Sequence, residues 1–209
     1  MARLSGWDEI MLFINIDYLK ELEEFFEEVE KLWLKKFSQL ESEGTSIIEE
    51  EDQIAFYDFH QDRFQMLRET FPRVTKYNLL VTAYSFLEKN SHNYYLKAKK
   101  IHKIEDSVRN DYCYEHIMWF RRNFGKNSFQ KIDFEKFQEI NQLRNRIAHS
   151  HGKVNRTVHK GIIRILEKTE EISLNSYEEI EISSEYIKDT LKVVSNLIHS
   201  MHYITHSEK

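Results

Sequence analysis

Residues 76–101 read KYNLLVTAYSFLEKNSHNYYLKAKKI, and Tyr77, Leu79, Leu80, Val81, Ala83, Tyr84, Phe86 and Leu87 put apolar side chains nearly all round one helix. A helix that is apolar on every side has to be covered on every side, so this segment is expected to be the central core helix. On its N-terminal side, Pro72 is expected to end or kink a helix spanning roughly 53–71. Earlier still, Leu19, Leu22, Phe25, Phe26, Val29, Leu32 and Trp33 recur at three and four residues within 17–40, one apolar stripe on an otherwise acidic helix. Residues 41–52, with Gly44 and a run of acids, read as a loop.

On the C-terminal side a helix is expected within 106–124, ended by Gly125, and another from about Asp133 to the turn Ser150-His151-Gly152. Residues 158–171 should also be helical. Ile172, Leu174, Ile180 and Ile182 alternate about Asn175-Ser176 and predict a small β-hairpin near residues 171–184. Ser183 or Ser184 then caps a last helix to about Ile204. The fold class is therefore all-α with one small hairpin. Residues 1–52 are expected to form an acidic helical extension packed on the core, and 53–209 the main helical domain.

Only 5 Gly and 1 Pro interrupt the 209 residues, which agrees with long helices. The single cysteine, Cys113, excludes an internal disulfide and a cysteine-rich zinc site. Nothing in the composition points outside a reducing compartment, so a cytoplasmic location is expected. The longest early apolar run, Ile10 to Ile14, is too short for a membrane span and lacks a basic flank, so neither a membrane partner nor an export signal is expected.

Net charge is −5, which argues against coating nucleic acid through bulk electrostatics. Its distribution is uneven: residues 1–53 hold 15 acidic and 5 basic side chains, residues 54–209 hold 20 and 25. Between Glu139 and Glu167 there is no acid, while Arg144, Arg146, Lys153, Arg156, Lys160 and Arg164 are basic and His149, His151 and His159 can become so. Such a stretch suits an RNA backbone, with Arg146, His151, Lys153 and Arg156 as its expected contacts; the alternative is a basic face docked on the acidic N-terminal helix.

Advancing by about 100° per residue from Phe134 places Phe137, Ile140, Leu143, Ile147 and Ala148 on one half of a helix. Arg144 falls in the middle of that apolar half, whereas Arg146 lies opposite with Glu135, Glu139 and Gln142. A guanidinium among apolar side chains needs a partner or a function; one among acids does not. His149 follows Arg144 after four residues, near the helix C-terminus that favours an imidazolium, and Asn145 is its neighbour one turn earlier. His149 is thus a candidate acid–base group, although a C-terminal histidine often only bonds free carbonyls. Arg146 and His151 share the same spacing, so spacing alone is ambiguous, and the wheel favours Arg144 and His149.

Glu88 falls on the apolar face with Tyr77, Val81 and Tyr84 and is a candidate partner for Arg144; the alternative is an ordinary, partly exposed glutamate. His199, His202 and His206 have helix-compatible spacing but no fixed carboxylate or cysteine among them, so no metal is expected there. Cys113 near His116 reads as packing in preference to a nucleophile pair, and Tyr112, Tyr114, Trp119 and Phe120 as core in preference to base-stacking groups.

Leu143-Arg144-Asn145-Arg146-Ile147-Ala148-His149 followed by Gly152 resembles the motif of the HEPN superfamily: an arginine, four to six residues, then a histidine, with a polar residue commonly after the arginine. Phe71-Pro72 leading into Leu79-Leu80-Val81 and Tyr84-Ser85-Phe86-Leu87-Glu88 is similar to a helix of many such proteins, and the likeness covers about 53–204. The resemblance implies a helical bundle, usually a homodimer with two motifs facing each other, and toxin or antiviral-defence ribonucleases acting on single-stranded RNA or tRNA without a cofactor. It further implies a possible antitoxin or defence-system partner. One branch carries a modified tyrosine two residues after the motif histidine; here that position is His151, a departure from the branch.

RNA carries its own nucleophile in the 2′-hydroxyl, so cleavage needs proton transfer and cations, and no metal. His149 would move the proton, Arg144 would stabilise the phosphate, and Asn145 would orient one or the other. The competing expectation is a non-catalytic module that binds RNA, a nucleotide or a protein through the same residues.

Overall fold

The computed structural model describes residues 6–207, and they form a mainly α-helical protein. Helices α1 (Gly6–Thr45), α2 (Glu50–Phe59) and α3 (Gln61–Gln65) lead through a π-helical turn (Met66–Thr70) into α4 (Phe71–Ile101). Then follow α5 (Cys113–Phe124), a 3-10 turn (Lys126–Ser128), α6 (Lys131–Ser150), α7 (Lys160–Lys168), strands β1 (Ile172–Leu174) and β2 (Ile180–Ile182), and α8 (Ser184–His206).

The apolar segment that begins at Tyr77 is the centre of the fold, for α4 packs against α8, α5, α6 and α1. Leu80 and Leu87 are solvent-free, and the small Ala83 and Ala98 let neighbouring helices close on the same axis. Helix α1 is not peripheral: Leu19, Phe26, Trp33 and Leu40 recur every two turns on its buried face and belong to the same core. Each such burial stabilises by roughly 1.5–3 kcal/mol, enough to make α1 part of one cooperative unit.

The acids of α1 find their cations elsewhere than in the basic stretch. Glu27 meets Lys188 at 2.8 Å, Glu30 lies 4.0 Å from Lys76, and Asp8 pairs with Lys97. Among the described residues no ion pair joins α1 to the segment 144–164.

Several boundaries differ from expectation. Helix α1 runs from Gly6 to Thr45, and buried Gly44 lies so close under Phe56 and Tyr57 that a Cβ would meet them at 2.9 and 2.8 Å. The expected loop of residues 41–52 shrinks to 46–49. Pro72 does not end a helix; it sits in the first turn of α4, where a missing N–H is harmless. The π turn before it, closed by Phe71 N–H donating to Met66 five residues back, bridges the register that proline would break. The helix expected within 106–124 is α5, ended by Gly125 as expected; before it Trp119 Nε1 donates to Asp106 O at 3.1 Å and Arg122 holds the Asp106 carboxylate at 3.0 Å, fixing residues 106–112 as an irregular strap. Helix α7 is shorter than expected, at 160–168.

The hairpin is antiparallel in the register Ile172 with Ile182 and Leu174 with Ile180. Ile172, Ile180 and Ile182 face the core. Ser183 caps α8, its hydroxyl accepting from Tyr186 N–H at 3.0 Å. Among the described residues no helix is long and apolar enough to cross a membrane.

Candidate functional site

Helix α6 ends in a tightly determined turn. His151 N–H donates to Ile147 O and Gly152 N–H to Arg146 O, at 2.9 and 3.3 Å, while both residues take positive φ, +51° and +78°. Gly152 is required here, because an ideal Cβ would lie 2.1 Å from the Tyr77 hydroxyl. That hydroxyl donates in turn to Ile180 O of β2. Ile180 N–H returns to Gly152 O at 3.1 Å, and Val154 N–H donates to Glu178 O at 2.8 Å. Lys153 and Glu179 form an antiparallel bridge, so the chain leaving α6 is held as a third edge against the hairpin.

About two turns before this end, Arg144 faces α4, as its place on the wheel requires. Its side chain is 25% exposed, with Nη2 3.8 Å from Glu88 Oε2 and the guanidinium 5.0 Å from the centre of the Tyr84 ring. Nη1 donates to Asn145 Oδ1 at 3.1 Å, while Nε is buried without a hydrogen-bond partner. Tyr84 donates to Asn141 Oδ1 at 2.6 Å, and burial holds its phenol above the usual tyrosine range, so it stays protonated. Asn145 and His149 are exposed. The site thus has a positioned, partly covered cation on one side of α6 and an exposed amide and imidazole on another.

Arg146 points elsewhere. Its Nη1 lies 3.3 Å from His159 Nδ1, just before α7, on the face opposite Arg144. Arg156 pairs with Glu178 at 3.0 Å, and Lys153 and His151 are exposed at the turn. A cleft of about 350 Å³ lined by Asn78, Val81, Ala148 and His151 opens between α4 and the end of α6, with Arg73 at its edge. The structure therefore brings Arg144, Asn145 and Glu88 together and leaves Arg146 and Arg156 in separate pairs.

The Cys113–His116 pair does not form a nucleophile couple. Cys113 is fully buried, which pushes its thiol up to about 12, and His116 turns to other partners. Its Nε2 lies 2.8 Å from Asp111 Oδ1 and its Nδ1 3.1 Å from Ser91 Oγ, while His92 Nδ1 approaches the same Asp111 oxygen at 2.7 Å. The hydrogen bonds from His92 and His116 keep Asp111 below the usual carboxylate range, and burial lowers His116. Sequence reasoning missed this chain, for only the Asp111-to-His116 spacing hinted at it and His92 lies a loop away.

Of the three late histidines, His202 and His206 bring their ring centres within 4.8 Å of each other, and His199 turns away. Exposed His199 turns its Nδ1 to Ser195 O on its own helix at 3.0 Å, whereas His202 is buried edge-on to Tyr94. Of Tyr112, Tyr114, Trp119 and Phe120, Trp119 and Phe120 are core and Tyr112 is 60% exposed. Compared with protein-family models, with curated proteins and with solved structures, the chain gave no match.

Proposed function

We propose that this protein is an HEPN-like endoribonuclease that cleaves RNA through its own 2′-hydroxyl, without a metal, as a toxin or antiviral-defence effector in the cytoplasm. The observation that carries the reading is Arg144: a cation on the apolar face of α6, held by Glu88 at 3.8 Å and by Tyr84, in the same helix end as exposed Asn145 and His149. His149 transfers the proton. Arg144 offsets the charge that builds on the phosphorane, and Asn145 orients the imidazole or the phosphate. The buried, partnerless Nε supports the reading, because an orphan donor costs roughly 1–3 kcal/mol and a guanidinium turned onto a phosphate would recover that loss. Lys153, exposed at the turn with His151, adds positive charge near the site, while Arg146 and Arg156 stand nearby in their pairs with His159 and Glu178.

Arg144 and His149 are five positions apart and diverge by about 140° on a regular helix, so one subunit grips a phosphate poorly from both sides. A homodimer with the two α6 ends facing each other supplies the missing direction. An antitoxin or other defence-system partner would act on this same face.

The test is cleavage of single-stranded RNA and of tRNA by the purified chain in EDTA. Expected are a 2′,3′-cyclic phosphate or 3′-phosphate beside a 5′-hydroxyl, with losses of about 10²–10⁴-fold for His149→Ala and Arg144→Ala. Arg146→Ala should lose less. Mixed His149→Ala and Arg144→Ala subunits should regain one working site in two. Activity that vanishes in EDTA and returns with metal, or an essential Arg146 beside a dispensable Arg144, refutes the mechanism. RNA bound but never cut favours the non-catalytic reading.

A further inference from the structure

We infer that His92, Asp111 and His116 form a binding site for one divalent first-row cation such as Zn²⁺, tying the irregular strap of residues 102–112 to helices α4 and α5. The inference is independent of the ribonuclease reading. The three residues offer His92 Nδ1, an Asp111 carboxylate oxygen and His116 Nε2, all within 4.8 Å of one another.

The two imidazoles converge on one carboxylate oxygen. His116 Nε2 lies 2.8 Å from Asp111 Oδ1, and His92 Nδ1 lies 2.7 Å from the same atom. His116 Nδ1 lies 3.1 Å from Ser91 Oγ, so the ring is held from behind with Nε2 turned to Asp111. Its side chain is 1% exposed, so the surrounding core fixes that direction. A metal ion where His116 Nε2, His92 Nδ1 and the carboxylate meet would take all three as ligands.

The surroundings fit such an ion. Two imidazoles and one carboxylate are a usual donor set for zinc and its neighbours in the first row. His116 is oriented from behind through Ser91, the kind of support that metal-bound histidines generally have. With metal–ligand bonds of about 2.0–2.2 Å, ligand atoms stand about 3.3 Å apart, so the oxygen has to retreat by about 0.5 Å. Asp111 can do this, because its side chain is 66% exposed at the surface, and His92 is 38% exposed beside it. Glu88 and Lys89 line the same shallow opening, so remaining coordination positions face water. Once the ion binds, Asp111 becomes a fixed point of the strap between α4 and α5.

The experiment uses the full chain stripped of metal with a chelator, titrated with zinc sulfate by calorimetry and weighed by native mass spectrometry. Expected is one Zn²⁺ per chain, with Asp111→Asn and His92→Ala each weakening binding by about tenfold or more. Both substitutions lie at the surface and leave the core in place. No zinc uptake by the wild type overturns the proposal and leaves Asp111 and His116 as a proton-linked pair. Undiminished uptake by both variants overturns it as well, as does a bound ion that His199→Ala removes. Since binding is read directly, failure here leaves RNA cleavage untouched, and chelation is expected to remove the ion without abolishing cleavage.

Discussion

Replacing Gly152 with alanine should destabilise the protein by about 2–5 kcal/mol, and both contributions can be read from the turn that closes α6. Gly152 sits at φ +78°, where a Cβ costs roughly 1–2 kcal/mol. The new carbon would also stand 2.1 Å from the Tyr77 hydroxyl and 2.7 Å from its Cζ, so the ring must move. Moving it breaks the buried bond from that hydroxyl to Ile180 O, a further loss of about 1–3 kcal/mol. For a chain of this length each kcal/mol shifts Tm by about 2–4 °C, so a fall of roughly 4–20 °C is expected. Urea unfolding followed by circular dichroism, with a thermal scan beside it, measures the loss. The same substitution in a Tyr77→Phe background should cost less, because the nearest clashing atom and the bond at risk are both gone. A change within about 0.5 kcal/mol, the range of ordinary surface substitutions, would refute the claim that this turn is set by glycine and tyrosine together.

Two further outcomes follow from the same structure. A double-mutant cycle on Glu88 and Arg144 should show coupling of about 0.3–1 kcal/mol, modest because the pair is 3.8 Å apart and both side chains are partly exposed; zero coupling removes Glu88 from the site. Cys113, with its thiol pushed up to about 12 by burial, should react with a disulfide reagent at pH 8 at about a hundredth or less of its rate in denaturant; fast labelling of the native chain would contradict its placement.

Helix periodicity carried most of the fold. The all-round apolar pattern of Tyr77 to Leu87 identified the central helix, and the alternation of Ile172, Leu174, Ile180 and Ile182 identified the hairpin, because burial forces those two periods directly. The wheel also separated Arg144 from Arg146, and they do lie on opposite faces of α6, beside Glu88 and beside His159. What stayed hidden depends on contacts distant in sequence. The π turn before Pro72 depends on hydrogen bonding that spacing does not encode. The helix expected within 106–124 begins only at Cys113, because the conformation of the strap of residues 106–112 is set by Trp119 and Arg122 reaching back to Asp106. The meeting of His92, Asp111 and His116 likewise requires the fold of that strap, and the Asp111-to-His116 spacing is its one local hint.

The dependence of the α6 end on the hairpin has a consequence for synthesis. His149 lies in a helix whose last turn is held by Gly152 and Val154, and their partners are Ile180 and Glu178. A ribosome adding about 5–20 residues per second places those partners some seconds after His149 has been made. Throughout that interval the nascent chain has its arginine and histidine but no anchor for the turn between them and the rest of the protein. If the proposed chemistry is right, a chain still attached to the RNA machinery that makes it is the least able to cut RNA.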